Sequence, residues 1–110
     1  MNILMEKGIN SDVQRYNMTM GTSVQKVSDH VGEIIEVQAW AIFEDTRNDR
    51  TDRVVSILTT DGDILASAGY SERSFEDILT VFKNGLPRLA IKDRKSRGGR
   101  TFCYFEPVEG

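Results

Sequence analysis

The stretch Glu33–Glu44 reads EIIEVQAWAIFE, and no other part of the chain constrains the fold as strongly. Its Ile, Val, Trp and Phe residues favour an extended chain, and the run is longer than an ordinary strand of about 5–6 residues. One side carries Ile35, Val37, Ala39, Ala41 and Phe43, all apolar, and is expected to face the core. The other side carries Ile34, Glu36, Gln38, Trp40 and Ile42. Small residues midway along the core-facing side predict a strongly coiled or bent strand, as in small closed barrels.

Beyond Glu44 the chain reads as a meander. Residues 45–52 (DTRNDRTD) contain nothing apolar and are expected to form an exposed, mobile loop. Arg53–Thr60 is the second strand. Asp61-Gly62-Asp63 is a tight turn, since Asp-Gly tolerates the positive φ such turns need. Ile64–Gly69 is the third strand. Then the period changes. Phe75, Ile78, Leu79 and Phe82 fall at i, i+3, i+4 and i+7, the apolar stripe of a helix within 70–83. Ser71 or Ser74 suits its N-cap, Glu72, Glu76 and Asp77 suit its positive dipole end, and Gly85 and Pro87 stop it.

The last stretch, Arg88–Pro107, reads as a hairpin around Ser96-Arg97-Gly98-Gly99. The element order β-β-β-α-β-β predicts a mainly β fold, a five-stranded antiparallel OB-type barrel. One α-helix (74–83) lies between strands three and four, its stripe plugging one end. Residues 21–31 hold one helical turn or a short strand. Residues 1–20 are polar with weak periodicity and are expected to be a flexible N-terminal arm, leaving 21–110 as a single OB-type domain.

A length of 110 residues suits one domain. The single cysteine cannot form an intramolecular disulfide, which fits a reducing compartment. No run of about 18 apolar residues is present to cross a membrane. The opening MNILMEKG lacks the basic and long apolar regions of a signal peptide. The expected location is the cytoplasm.

Catalytic chemistry finds little support. His30 and Cys103 are each the only residue of their type, and they share no motif. Cys103 alternates with Phe102 and Tyr104 inside an apolar strand, where a buried, inert thiol is expected. His30 is expected at the surface beside Asp29. One His and one Cys cannot build a zinc site. Glu44, Asp45, Asp49 and Asp52 lack the central Gly and closing Glu of a calcium loop. No phosphate-binding loop occurs. The chain is therefore read as a non-enzyme without metal or cofactor.

Charge is distributed unevenly. Between Lys83 and Arg100, seven cations face one acid, a net of +6, which leaves −9 for the rest of a chain whose total is −3. Alternation puts Arg88, Ala90, Lys92 and Arg94 on one side of strand four, with Leu89 and Ile91 on the other. If Cys103 and Phe105 join Leu89 and Ile91 in the core, then Phe102, Tyr104 and Glu106 stand outside beside Lys92 and Arg94. Aromatic rings next to cations suit single-stranded nucleic acid: bases stack while cations neutralise phosphates. Trp40 would extend the platform, and Lys95, Arg97 and Arg100 near the turn would hold the backbone. Two other readings fit the same residues: a charged edge that guards against aggregation, and a surface for an acidic protein.

An ordered set of short motifs also resembles a known family, the small single-stranded DNA-binding proteins of tailed phages of Gram-positive bacteria. The resemblance covers roughly residues 16–106. It runs through Met20-Gly21-Thr22-Ser23, the Gly-Glu-Ile-Ile-Glu-Val opening from Gly32 to Val37, and Phe43-Glu44-Asp45. It continues with Thr60-Asp61-Gly62-Asp63, Arg73-Ser74-Phe75-Glu76-Asp77 and Gly85-Leu86-Pro87. It ends with Lys95-Ser96-Arg97-Gly98-Gly99-Arg100-Thr101-Phe102. A second glycine in the turn and the Cys-Tyr-Phe run depart from the family's pattern. The resemblance implies an OB-type fold and cooperative, sequence-independent coating of single-stranded DNA during phage replication in the host cytoplasm, as a homo-oligomer or array on DNA. The acidic remainder fits two roles, steering duplex DNA away or recruiting replication proteins. The competing reading is a non-catalytic adaptor that binds a replication or packaging protein through the same basic face.

Overall fold

The long apolar run becomes β3, Ile34–Arg47, and the sheet is laid out around it. A computed structural model of the chain describes residues 2–21, 23–68, 72–83, 88–95, 97–99 and 101–108. At Arg47, Ala68, Phe102 and residues 72–75 it describes the backbone alone. One edge of β3 pairs with β4 (Arg50–Thr59), and β4 pairs with β5 (Ile64–Ala68), both antiparallel. Two strands follow one another along the opposite edge. β6 (Arg88–Lys95) pairs with Ile34–Glu36, and β1 (Asn2–Lys7) pairs with the stretch from Trp40 to Glu44. β7 (Thr101–Pro107) runs antiparallel to β6, while the two-residue β2 (Gln25–Lys26) lies parallel to β5. The fold is mainly β: a curled half-barrel sheet of seven mixed strands with two helices. The five expected strands are present as β3 to β7. The expectation of five purely antiparallel strands is corrected by β1, β2 and the parallel β2–β5 pair.

A bulge in β3 decides which side chains are buried. Val37 faces Thr59 and Ala39 faces Leu58, so β3 advances two residues while β4 advances one. Gln38 is the extra residue, and it is exposed. An inserted residue bends a strand and reverses its parity. Ile35 and Val37 before the bulge therefore share one core with Trp40 and Ile42 after it. Ala39, Ala41 and Phe43 turn to the opposite face. Strict alternation had put Trp40 and Ile42 on the non-core side; the bulge corrects both, and Trp40 is 1% exposed.

The main core lies on one side of the curled sheet. Val55, Ile57, Leu65, Leu89, Ile91 and Phe105 line it, and α2 (Glu72–Phe82) closes it with Ile78 and Phe82. Phe82 stands between two rings, 5.3 Å from Trp40 and 5.7 Å from Phe105 between centroids. Tilted and edge-on pairs at this spacing suit the aromatic quadrupole. Of the apolar stripe expected to plug one end of a barrel, Ile78 and Phe82 are buried in this core and Leu79 packs against it. The capping expectation for Ser71 or Ser74 lies outside the described side chains.

The first twenty residues, expected as a flexible arm, instead hold β1 and α1 (Asp12–Thr19). Ser11 caps α1: its Oγ accepts the backbone N–H of Gln14 at 3.1 Å. Met18 is buried against Ala39, Ala41, Phe43 and Leu58, with Ile3, Ile9, Val54 and Ile64 around them. The two alanines that suggested a bend are the floor on which this helix rests. Arg15 ties the helix to β1, its Nη2 donating to Glu6 Oε1 at 2.7 Å and its Nε to Oε2 at 2.9 Å. Gly21 lets the chain leave the helix closely, since a Cβ there would stand 2.5 Å from the Asn17 carbonyl oxygen.

Two further differences concern the loops. Residues 45–52 are not a mobile loop but the tip of a β3–β4 hairpin, paired out to Arg47 and Arg50. Asn48 and Asp49 both take positive φ, the backbone of a two-residue hairpin turn. Residues 27–30 form one 3-10 turn that buries Val27. The Asp61–Asp63 turn forms as expected, with Gly62 at φ +91°.

Candidate nucleic-acid interface

The β6–β7 hairpin is governed by its alternation. Leu89 and Ile91 on β6 and Phe105 on β7 are buried, and Cys103 is half-buried. Burial of these four commits the other parity to the outside. The register then sets Lys92 opposite Tyr104 and Arg94 opposite Phe102. This is the juxtaposition expected from sequence. Lys92 and Arg94 are exposed, and Tyr104 is half-buried. The Arg94 guanidinium lies over the Tyr104 ring, its Cζ 5.5 Å from the centroid, within cation–π range. Nothing is described of the Phe102 side chain, so the structure places its backbone alone.

The same outer face continues onto β3. Ile34 pairs with Ala90 and Glu36 with Arg88. Ile34 is 57% exposed, an aliphatic side chain open to solvent beside the basic strand. The Arg88 Nε lies 3.8 Å from Glu36 Oε1. At the opposite end, Lys95 is exposed opposite Thr101, and Arg97 is exposed in the turn before Gly98 and Gly99. Arg100 lies outside the described residues.

Trp40 does not belong to this face. It is enclosed between β3 and α2 and contacts Phe82. Its expected role as a stacking platform is corrected: the bulge at Gln38 turns it inward.

Glu106 enters the site with more weight than the sequence suggested. It has the parity of Tyr104, and its Oε2 lies 2.7 Å from Lys92 Nζ. That contact raises the Lys92 pKa, chiefly through the hydrogen bond from the ammonium to the Glu106 carboxylate and then through their attraction. The signal was in the alternation, but a tally of charge ending at Arg100 leaves Glu106 out. The face is therefore mixed in charge, basic toward the turn and paired with acids toward β3.

Burial is the main cause raising the Cys103 pKa, and repulsion from Asp93 adds to it, so the nucleophilic thiolate is disfavoured. His30 is half-buried rather than at the open surface. Its ring nitrogens lie 2.8 Å from Glu33 Oε2 and 2.6 Å from Gln25 Oε1. Among the described residues, no helix is long and apolar enough to cross a membrane.

No family model, curated protein or solved structure matches this chain.

Proposed function

We propose that the outer face of the β6–β7 hairpin binds single-stranded DNA without sequence preference and without catalysis, as a protective coat during phage DNA replication in the host cytoplasm. The observation that carries this reading is the set of Lys92, Arg94 and Tyr104 on one open sheet surface. Stacking on an aromatic ring needs no particular base, and neighbouring cations neutralise the phosphates alongside. Arg97 extends the positive end at the turn, Lys95 adds charge there from the opposite side of β6, and Phe102 shares the register row of Arg94. The resemblance to small phage single-stranded DNA-binding proteins supports the same conclusion.

The sheet also supports an OB-type reading. β3 pairs with β4 along one edge and gives its first residues to β6, and the helix between β5 and β6 seats itself in the core. These features fit a partly open five-stranded Greek-key barrel, to which β1 and β2 would be additions.

A second reading, an adaptor for a replication or packaging protein, is favoured by Ile34. An exposed aliphatic residue beside Ala90 suits a protein contact better than a phosphate track.

One titration separates the two. Labelled oligo-dT is added to the protein and its anisotropy is followed, because buried Trp40 reports on the core rather than on this face. Binding at about 50 mM salt that weakens steeply by about 200 mM is the expected result, since counterions released from the strand set the slope. Absence of binding at the lower salt rejects the nucleic-acid reading.

A further inference from the structure

Two of the outward cations on β6, Lys92 and Arg94, are engaged from β7. The Arg94 guanidinium covers the Tyr104 ring, and Lys92 reaches diagonally to Glu106. Glu106 is the register partner of Ala90, one row from Lys92 on the same side of the sheet. The Lys92 and Glu106 side chains are 48% and 51% exposed, so the pair sits where an incoming strand would run. An ammonium is a compact point charge that donates to a carboxylate or a phosphate oxygen in the same place. The two anions cannot crowd there without repelling each other.

We propose that Glu106 is a built-in competitor for phosphate at Lys92, so that a nucleic-acid strand docks by displacing the Glu106 carboxylate. The inference rests on the nucleic-acid reading of this face and adds a regulatory residue to it. The latch is weak by construction, because an exposed ion pair contributes little and is screened by salt. It keeps the Lys92 ammonium drawn toward Glu106 and withholds one positive charge until a strand supplies a better partner. The displaced carboxylate then recruits a cation from solvent, which cancels part of the counterion release on binding.

The test is a double-mutant cycle read by labelled oligo-dT anisotropy. Wild type, Glu106→Gln, Lys92→Gln and the double variant are compared across a salt series, with circular dichroism confirming the fold of each. Glu106→Gln is expected to bind roughly two- to five-fold tighter at low salt, the range an exposed pair supplies. Its salt slope is expected to steepen by up to about 0.7. In the Lys92→Gln background the same substitution should change nothing. An equal gain in both backgrounds overturns the proposal, because Glu106 then acts as a general negative charge and not through Lys92. Wild-type binding with no gain in Glu106→Gln also overturns it while leaving the nucleic-acid reading standing. If neither wild type nor Glu106→Gln binds, the reading of the face fails and the competitor fails with it. Binding by Glu106→Gln alone also overturns it, because a weak exposed pair cannot by itself abolish wild-type binding.

Discussion

Trp40 and Tyr104 show how a single residue's neighbours decide its role. Both are aromatic and both lie on strands, yet one is enclosed by Phe82 and the other lies under Arg94 at the surface. Trp40→Ala is therefore expected to cost about 3–5 kcal/mol of stability, the usual range for emptying a large buried aromatic site. Tyr104→Ala should leave the urea midpoint almost unchanged and weaken oligo-dT binding by about 1–3 kcal/mol, the contribution of one stacked base. The reverse pattern would exchange their roles. Ser56 is a different case. Its hydroxyl is fully buried and has no hydrogen-bond partner among the described residues, sitting on β4 between Ala41 and Ala66. A desolvated, unpaired hydroxyl costs free energy that alanine would not. Ser56→Ala is expected to raise stability by about 1 kcal/mol, measured as a higher urea midpoint at unchanged slope.

At the scale of elements, what the sequence made legible followed its periodicity. Leu89 and Ile91 alternating with Lys92 and Arg94 fixed the two sides of β6, and the structure keeps that assignment. Phe75, Ile78, Leu79 and Phe82 marked α2 by their 3.6-residue spacing. Legibility stopped where parity broke, because nothing in Val37-Gln38-Ala39 announces an inserted residue. A bulge is decided by how two strands meet, not by one strand's own residues. α1 was missed for another reason. Ser11-Asp12-Val13-Gln14 carries a helix-start signal, but Val13, Tyr16 and Met20 remain exposed and Met18 alone is buried, so no apolar stripe marked the helix. Its tie to β1 is electrostatic in part. The hydrogen bond from Arg15, the largest cause, holds the Glu6 pKa below its ordinary value despite some desolvation. A lowered carboxylate pKa contributes stability above the ordinary glutamate range, about 4.3, and loses it as pH falls through the folded value. Hydrogen-exchange protection in α1 should accordingly fall on acidification through that window. In Glu6→Gln this step should be absent, and an unchanged acid profile in the variant would place the loss elsewhere.

For the whole molecule, β1 and α1 determine how many cores the sheet has. One side of the curled sheet is closed by α2 over the cluster around Trp40 and Phe82. The opposite side has its own smaller cluster, covered by Met18 and bordered by Ile3 and Ile9. Had residues 1–20 been a flexible arm, their removal would leave the fold intact. In the observed arrangement the deletion strips Met18 from Ala39, Ala41, Phe43 and Leu58, and it unpairs β3 along the edge that faces Asn2 to Lys7. Burying one large apolar side chain contributes about 1.5–3 kcal/mol, and this deletion uncovers several. The truncated chain is expected to lose more than about 3 kcal/mol in urea unfolding and to self-associate, because an unpaired edge next to bared apolar surface templates association. The hairpin face lies apart, paired to β3 through Ile34–Glu36 and not through β1. At temperatures where the truncated chain stays folded, its oligo-dT affinity should therefore match that of the full chain. A truncation that keeps full stability would show that the N-terminal strand and helix do not pack as described. One that stays stable but loses oligo-dT binding would move the binding face toward α1.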